Sequence, residues 1–160
     1  MRTLVLICML FLTMCKSQHY INTSRYAILN ADGEYDGFRY FIFDNKTNKP
    51  ATLSTDEVYE IEKIIKTQVD KHNKNSLHHY SFIRNPRRYY KQLMAVINSK
   101  GEKEVWVNCF CHSDDKTLND DNSYWKKGIV SVYDGGSCYF QLRINLTTKR
   151  VYDFSVNGVA

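Results

Sequence analysis

The chain has 160 residues, only two prolines and seven glycines, and no low-complexity tract or internal repeat, which together predict one globular domain. Its 22 basic and 17 acidic residues give a formal net charge of +5, an ordinary balance that lends no support to nucleic-acid binding. No apolar run is long enough to cross a bilayer as a helix.

Met1 and Arg2 form a short positive start, and residues 4–14 follow as a nearly unbroken apolar run. Roughly 11 residues suit the apolar region of a secretory signal. Residues 1–17 are therefore read as a signal peptide, 18–24 as a tether and 25–160 as a single α+β domain. Leu12-Thr13-Met14-Cys15 resembles a bacterial lipobox, with Met14 standing where a small residue is usual, which makes Cys15 the lipidation candidate. Cleavage after Ser17 is the alternative, since Ser17 and Cys15 then occupy the positions a signal peptidase reads. Both routes predict an exported protein, either a periplasmic or outer-envelope lipoprotein held to the membrane only by its lipid, or a secreted one. Loss of Arg2 and Lys16 with the signal leaves 20 basic against 17 acidic residues, a net +3.

Residues 25–29 read as a strand ending at the turn Asn30-Ala31-Asp32-Gly33, and aromatic residues 38–43 as another, closed by turn formers at 44–50. Ser54-Thr55-Asp56-Glu57 reads as a capping box opening a helix. Along that helix Val58, Ile61, Ile64, Ile65, Val69 and His72 fall on one face, with acids early and lysines late, and the helix ends near Asn75. After Pro86 the period changes to two. Residues 93–97 and 104–111 flank the hairpin signal Asn98-Ser99-Lys100-Gly101, and residues 128–133 and 138–146 flank Asp134-Gly135-Gly136-Ser137. Phe140, Leu142, Ile144 and Leu146 alternate with polar neighbours, and Tyr152, Phe154 and Val156 make a last strand. These signals predict an α+β fold with one main helix on an antiparallel sheet of about four to six strands, one sheet face apolar and the other mixed.

One early helix followed by a strand meander, over residues 52–156, resembles cystatin-like or NTF2-like folds. Val105-Trp106-Val107-Asn108-Cys109-Phe110-Cys111, Asp134-Gly135-Gly136-Ser137-Cys138-Tyr139-Phe140 and Val156-Asn157-Gly158 together resemble the C-terminal half of small exported bacterial proteins of unknown function. That resemblance implies export and a shared fold, and brings no substrate or catalytic residue with it.

With Cys8 and Cys15 in or beside the signal, the mature domain keeps Cys109, Cys111 and Cys138, for which one disulfide and one spare thiol are expected outside the cytoplasm, the spare thiol being buried, bound to metal or paired between chains. If residues 128–133 form a strand of a plain meander, Cys111 and Cys138 lie at opposite ends of the sheet, beyond the ~7 Å reach of a bridge. A Cys111–Cys138 bridge then requires residues 113–127 to cross the sheet, or a different strand order. Cys109-Phe110-Cys111-His112, with His78 and His79, supplies soft ligands, but on a strand His112 points away from both cysteines, so no zinc is expected. No group is placed to orient a Cys–His nucleophile, and Asp114-Asp115 and Asp120-Asp121 lack the pattern of a calcium loop. No cofactor is expected either. The binding candidate is Arg84-Asn85-Pro86-Arg87-Arg88-Tyr89-Tyr90-Lys91 together with Trp125, Lys126 and Lys127. Arginines beside tyrosines can grip phosphates, acidic sugars or an acidic protein face. The plainer reading is a basic loop entering a strand, its tyrosines half buried. The expectation is an exported, envelope-associated, non-enzymatic binding protein with a protein partner in the cell envelope, such as an inhibitor or immunity protein. The alternative is a small hydrolase or ligand-pocket protein with an NTF2-like cavity.

Overall fold

The computed structural model describes residues 23–33, 35, 42–44, 46–111 and 123–159. The signal peptide with Cys15, most of the tether, most of the 38–43 strand, His112 and the two Asp pairs lie outside the described residues.

Helix α1 (Thr55–Asn75) begins at the capping box. The Ser54 hydroxyl accepts from the Glu57 amide at 3.3 Å, and the Glu57 carboxylate accepts from the Ser54 amide at 2.8 Å. Val58, Ile61, Ile65 and Val69 form its buried stripe. They pack on a sheet of six strands: β1 (Tyr26–Leu29), β2 (Lys49–Ala51), β3 (Tyr90–Ile97), β4 (Lys103–Phe110), β5 (Tyr139–Asn145) and β6 (Arg150–Val156). Strands β3 to β6 form an antiparallel meander. β1 and β2 share the outer edge of β3, β1 parallel (Tyr26 opposite Lys91) and β2 antiparallel (Pro50 opposite Val96). Pro50 is tolerated there because an edge strand needs no amide donor on its open side. The architecture is α+β, with a helix packed on a mostly antiparallel sheet.

Between helix and sheet, Ile61, Ile65, Leu93, Val105, Val107, Cys109, Phe140, Leu142 and Ile144 are buried almost completely and fill the layer. Over β3 and β4 the opposite, chemically mixed sheet face is covered too. Met94, Val96, Trp106 and Phe110 meet Ala27, Leu29, Tyr35, Phe43, Trp125 and Ile129 in a second core.

Residues 128–133, expected to be a strand, pair with no strand among the described residues, and Ile129 and Val130 of this segment belong to the cover. Side chains take the place of a ladder. Gln92 donates to the carbonyls of Trp125 and Gly128, both at 2.6 Å, and accepts from the Val130 amide at 3.0 Å. Asn108, opposite Gln92 in the β3–β4 pair, donates to the Val130 carbonyl at 2.8 Å and to Gln92 at 2.9 Å. Buried backbone groups need partners from some source, and two amide side chains supply them here. Removing that strand makes β4 and β5 neighbours. Cys111 follows the end of β4, Cys138 precedes β5, and the Cys111 amide donates to the Cys138 carbonyl at 2.9 Å. Their Cα atoms lie 5.0 Å apart and the cysteines form a disulfide, so the bridge is compatible with a plain meander after all.

Candidate functional site

The chain returning from α1 to β3 is fastened to the helix it has just left. The Asn73 side chain donates to the Ile83 carbonyl at 2.8 Å and accepts from the Ile83 amide at 3.0 Å, pairing both backbone groups as a strand would. His72 Nε2 donates to the Ser81 carbonyl at 2.8 Å. Beyond Ile83 the chain turns at Asn85, which holds a left-handed φ of 43° directly before Pro86. Such a conformation is uncommon for a residue with a Cβ and marks a place worth inspecting for function. The 3-10 turn Pro86–Arg88 follows, closed by bonds from Arg88 and Tyr89 amides to the Asn85 and Pro86 carbonyls.

Tyr89 then anchors the far side of the turn. Its ring meets the Phe140 edge in the helix-side core, and its hydroxyl donates to the Ser137 carbonyl at 3.0 Å. Arg25 donates to the Arg88 carbonyl and lays its guanidinium over the Tyr90 ring at 4.9 Å. A turn pinned on three sides leaves the Arg84, Arg87 and Arg88 side chains exposed. Ion pairs form elsewhere: Lys63 with Glu60, Lys66 with Asp70, Lys91 with Glu62, Lys103 with Glu57, Lys149 with Glu60 and Arg143 with Asp153. Among the described residues no carboxylate pairs with Arg84, Arg87 or Arg88. Between this turn and the second half of α1 runs an open groove of about 520 Å³, walled by Lys66, Asp70, Phe82, Arg84, Pro86 and Arg87.

The structure divides the residues expected to bind. Arg84, Arg87 and Arg88 form one exposed group, and Tyr90 is half-buried beside them. Tyr89 is buried, and Trp125, at 1% exposure, sits in the second core against Phe110 and Tyr90. Lys91 is wholly buried. These three residues present no face to a ligand, because strand alternation turns Lys91 to the helix side with Leu93 and Ala95, and Trp125 plugs the opposite face.

Lys91 has its own partners, which sequence reasoning missed. Its ammonium lies 3.0 Å from Glu62 on α1 and donates to the Tyr89 carbonyl at 3.0 Å. Tyr26 donates its hydroxyl to the same Glu62 carboxylate, and Lys91 lies over the Tyr26 ring. Burial, and then the Glu62 charge, push the Tyr26 hydroxyl far above the usual phenol range, so it remains a donor. The available signal was Glu62 itself, a carboxylate beside Ile61 at the margin of the buried stripe.

Cys109, in register with Lys91, is completely buried. Burial pushes its thiol up to about 12 despite the nearby Lys91, so it stays protonated and unreactive. Among the described residues no three His, Cys, Asp or Glu side chains gather as metal ligands. The arrangement can therefore attract and hold anionic groups at its surface, while the one free thiol among the described residues is sealed inside.

No protein-family model, curated protein or solved structure matches the chain.

Proposed function

We propose that the protein is an exported, envelope-associated, non-enzymatic binding protein that meets a protein partner through the turn carrying Arg84, Arg87 and Arg88. The carrying observation is that these three arginines are exposed on a pinned turn and have no carboxylate partner among the described residues. Guanidinium groups attract acidic surfaces, and a pinned turn loses little backbone freedom when it meets one. The Cys111–Cys138 disulfide supports the exported reading, since such bonds persist in oxidising compartments. No described helix is long and apolar enough to cross a membrane. Inhibition of an exported protease, or immunity against an exported toxin, is one form such binding takes in small α+β domains. No observation on the described residues favours the enzyme alternative: the helix–sheet layer is filled, and the groove beside the turn is open to the outside.

Crosslinking in the native envelope tests the reading when the wild type is run beside the Arg84→Glu/Arg87→Glu/Arg88→Glu variant. A stoichiometric protein captured by the wild type and lost from the variant is expected. Capture that survives charge reversal would remove the turn as the interface.

A further inference from the structure

The groove beside the arginine turn differs from a plain basic surface, because its two walls offer different chemistry. Arg84 and Arg87 stand on the loop wall without carboxylate partners among the described residues, whereas Lys66 on the helix wall is neutralised by Asp70 at 2.6 Å. Positive charge is therefore concentrated along one side. Apolar surface lies beside it: Phe82 is 46% exposed, Pro86 is partly covered, and Val69 and Ile83 close the floor. A large aromatic ring left half in water on a fixed loop is a ready contact for another apolar side chain. The two walls are fixed relative to each other. Asn73 on α1 bonds both backbone groups of Ile83, and Tyr89 is buried on the far side of the turn.

Resting on the binding reading above, we infer that this groove takes an acidic, extended segment of the protein partner, with one apolar side chain seated against Phe82 and Pro86 and flanking carboxylates on Arg84 and Arg87. The alternation of guanidinium and apolar surface selects this occupant over a bare polyanion. A phosphate chain or acidic sugar would satisfy the arginines and leave Phe82 uncovered. The groove's volume of about 520 Å³ admits a side chain with its neighbouring backbone, within the range of ordinary recognition pockets.

The experiment uses the chain as recovered from its host and a fluorescein-labelled peptide of alternating glutamate and serine with a central tryptophan, read by anisotropy. The expected result is saturable binding. It should weaken about tenfold when the tryptophan is replaced by serine, and about tenfold again in the Arg84→Glu/Arg87→Glu variant. Phe82→Ser, which alters no charge, should reproduce the loss seen with the serine peptide; circular dichroism confirms that both variants are folded. Equal binding of the two peptides, with displacement by polyphosphate, would make this a polyanion site and overturn the inference. Absence of binding to either peptide would overturn it as well. The parent reading is judged separately, because a crosslinked partner lost on arginine reversal keeps the turn as an interface even when the peptides fail.

Discussion

The two ends of the sheet handle charge in opposite ways. At the end where β3 turns into β4, acids and their partners interlock. Glu57 meets Lys103 at 2.6 Å, and Glu60 meets Lys149 at 3.1 Å. Glu102 accepts from Asn98 and Asn145, while Glu104 accepts from Asn98 and the Tyr152 hydroxyl. At the end where the chain enters β3, Arg84, Arg87 and Arg88 are exposed and none of them forms an ion pair among the described residues, Asp70 in the same groove being taken by Lys66. An exposed ion pair contributes only about 0–1 kcal/mol. The first end therefore gains definition of its turns more than stability, and the second sacrifices little by leaving its charges open. Where pairing is inexpensive to provide, an unpaired cluster on a rigid turn is informative about what lies outside the molecule.

The comparison sharpens most at the buried pair lying between these ends. Glu62→Gln leaves the Lys91 ammonium inside with only a carbonyl, and should destabilise the fold by about 3 kcal/mol in urea titration. A cost below about 1 kcal/mol would mean that Lys91 reaches water and that the pair is one more surface contact. Replacing Cys111 and Cys138 together by alanine should cost about 2–4 kcal/mol, measured under non-reducing conditions, since the bridge closes a separation of 27 residues.

Acid acts on the paired end. Burial works against the Glu57 charge, but hydrogen bonds from Lys103 and Ser54 outweigh it and hold the carboxyl below the usual range. Lys149 holds Glu60 down in the same way, and Asn98 and then Asn145 do so for Glu102. Carboxyls depressed on folding contribute stability that is fully present above their ordinary pKa, about 4.5, and is lost as pH falls through the lower folded values. Lys103→Met should therefore flatten the fall in melting temperature below about pH 5, with a difference of no more than about 1 kcal/mol at neutral pH. An unchanged acid profile would show that the Glu57 contact is not maintained in solution. The smallest effect belongs to the open end. Arg84→Ser/Arg87→Ser/Arg88→Ser should shift stability by no more than about 0.5 kcal/mol while abolishing partner capture. A larger loss of stability would mean that the arginines serve the fold.

Local signals in the sequence carried much of this architecture. Ser54 and Glu57 announced the helix start, and the alternation from Phe140 to Leu146 announced β5, because both patterns are decided within a few residues. Residues 128–133 have the β-branched content of a strand, and only the distant Gln92 and Asn108 side chains make them a covering segment instead. That misreading carried over to Cys111 and Cys138, which a spurious strand had kept apart. β2 was hidden by its three-residue length and its proline. At the site, the three arginines were legible as a group, while Lys91 and Trp125 were placed beside them by sequence proximity or residue type. Period two along β3, extended back two residues from Leu93, already places Lys91 on the helix side.

The parallel pairing of β1 with β3 fixes an order of events during folding. Tyr26 is synthesised long before Lys91, its partner across the ladder, and before Glu62, which accepts its hydroxyl. Helix α1 and the β3–β4 and β5–β6 hairpins need only neighbouring sequence, whereas β1 must wait for the longest loop closure in the sheet. β1 should thus dock last. Until it does, the first half of β3 presents an open row of amides and carbonyls, the kind of edge through which chains join one another. Delayed closure of that four-residue strand, more than any weakness in the finished core, is then the step at which a newly made chain is most exposed to aggregation.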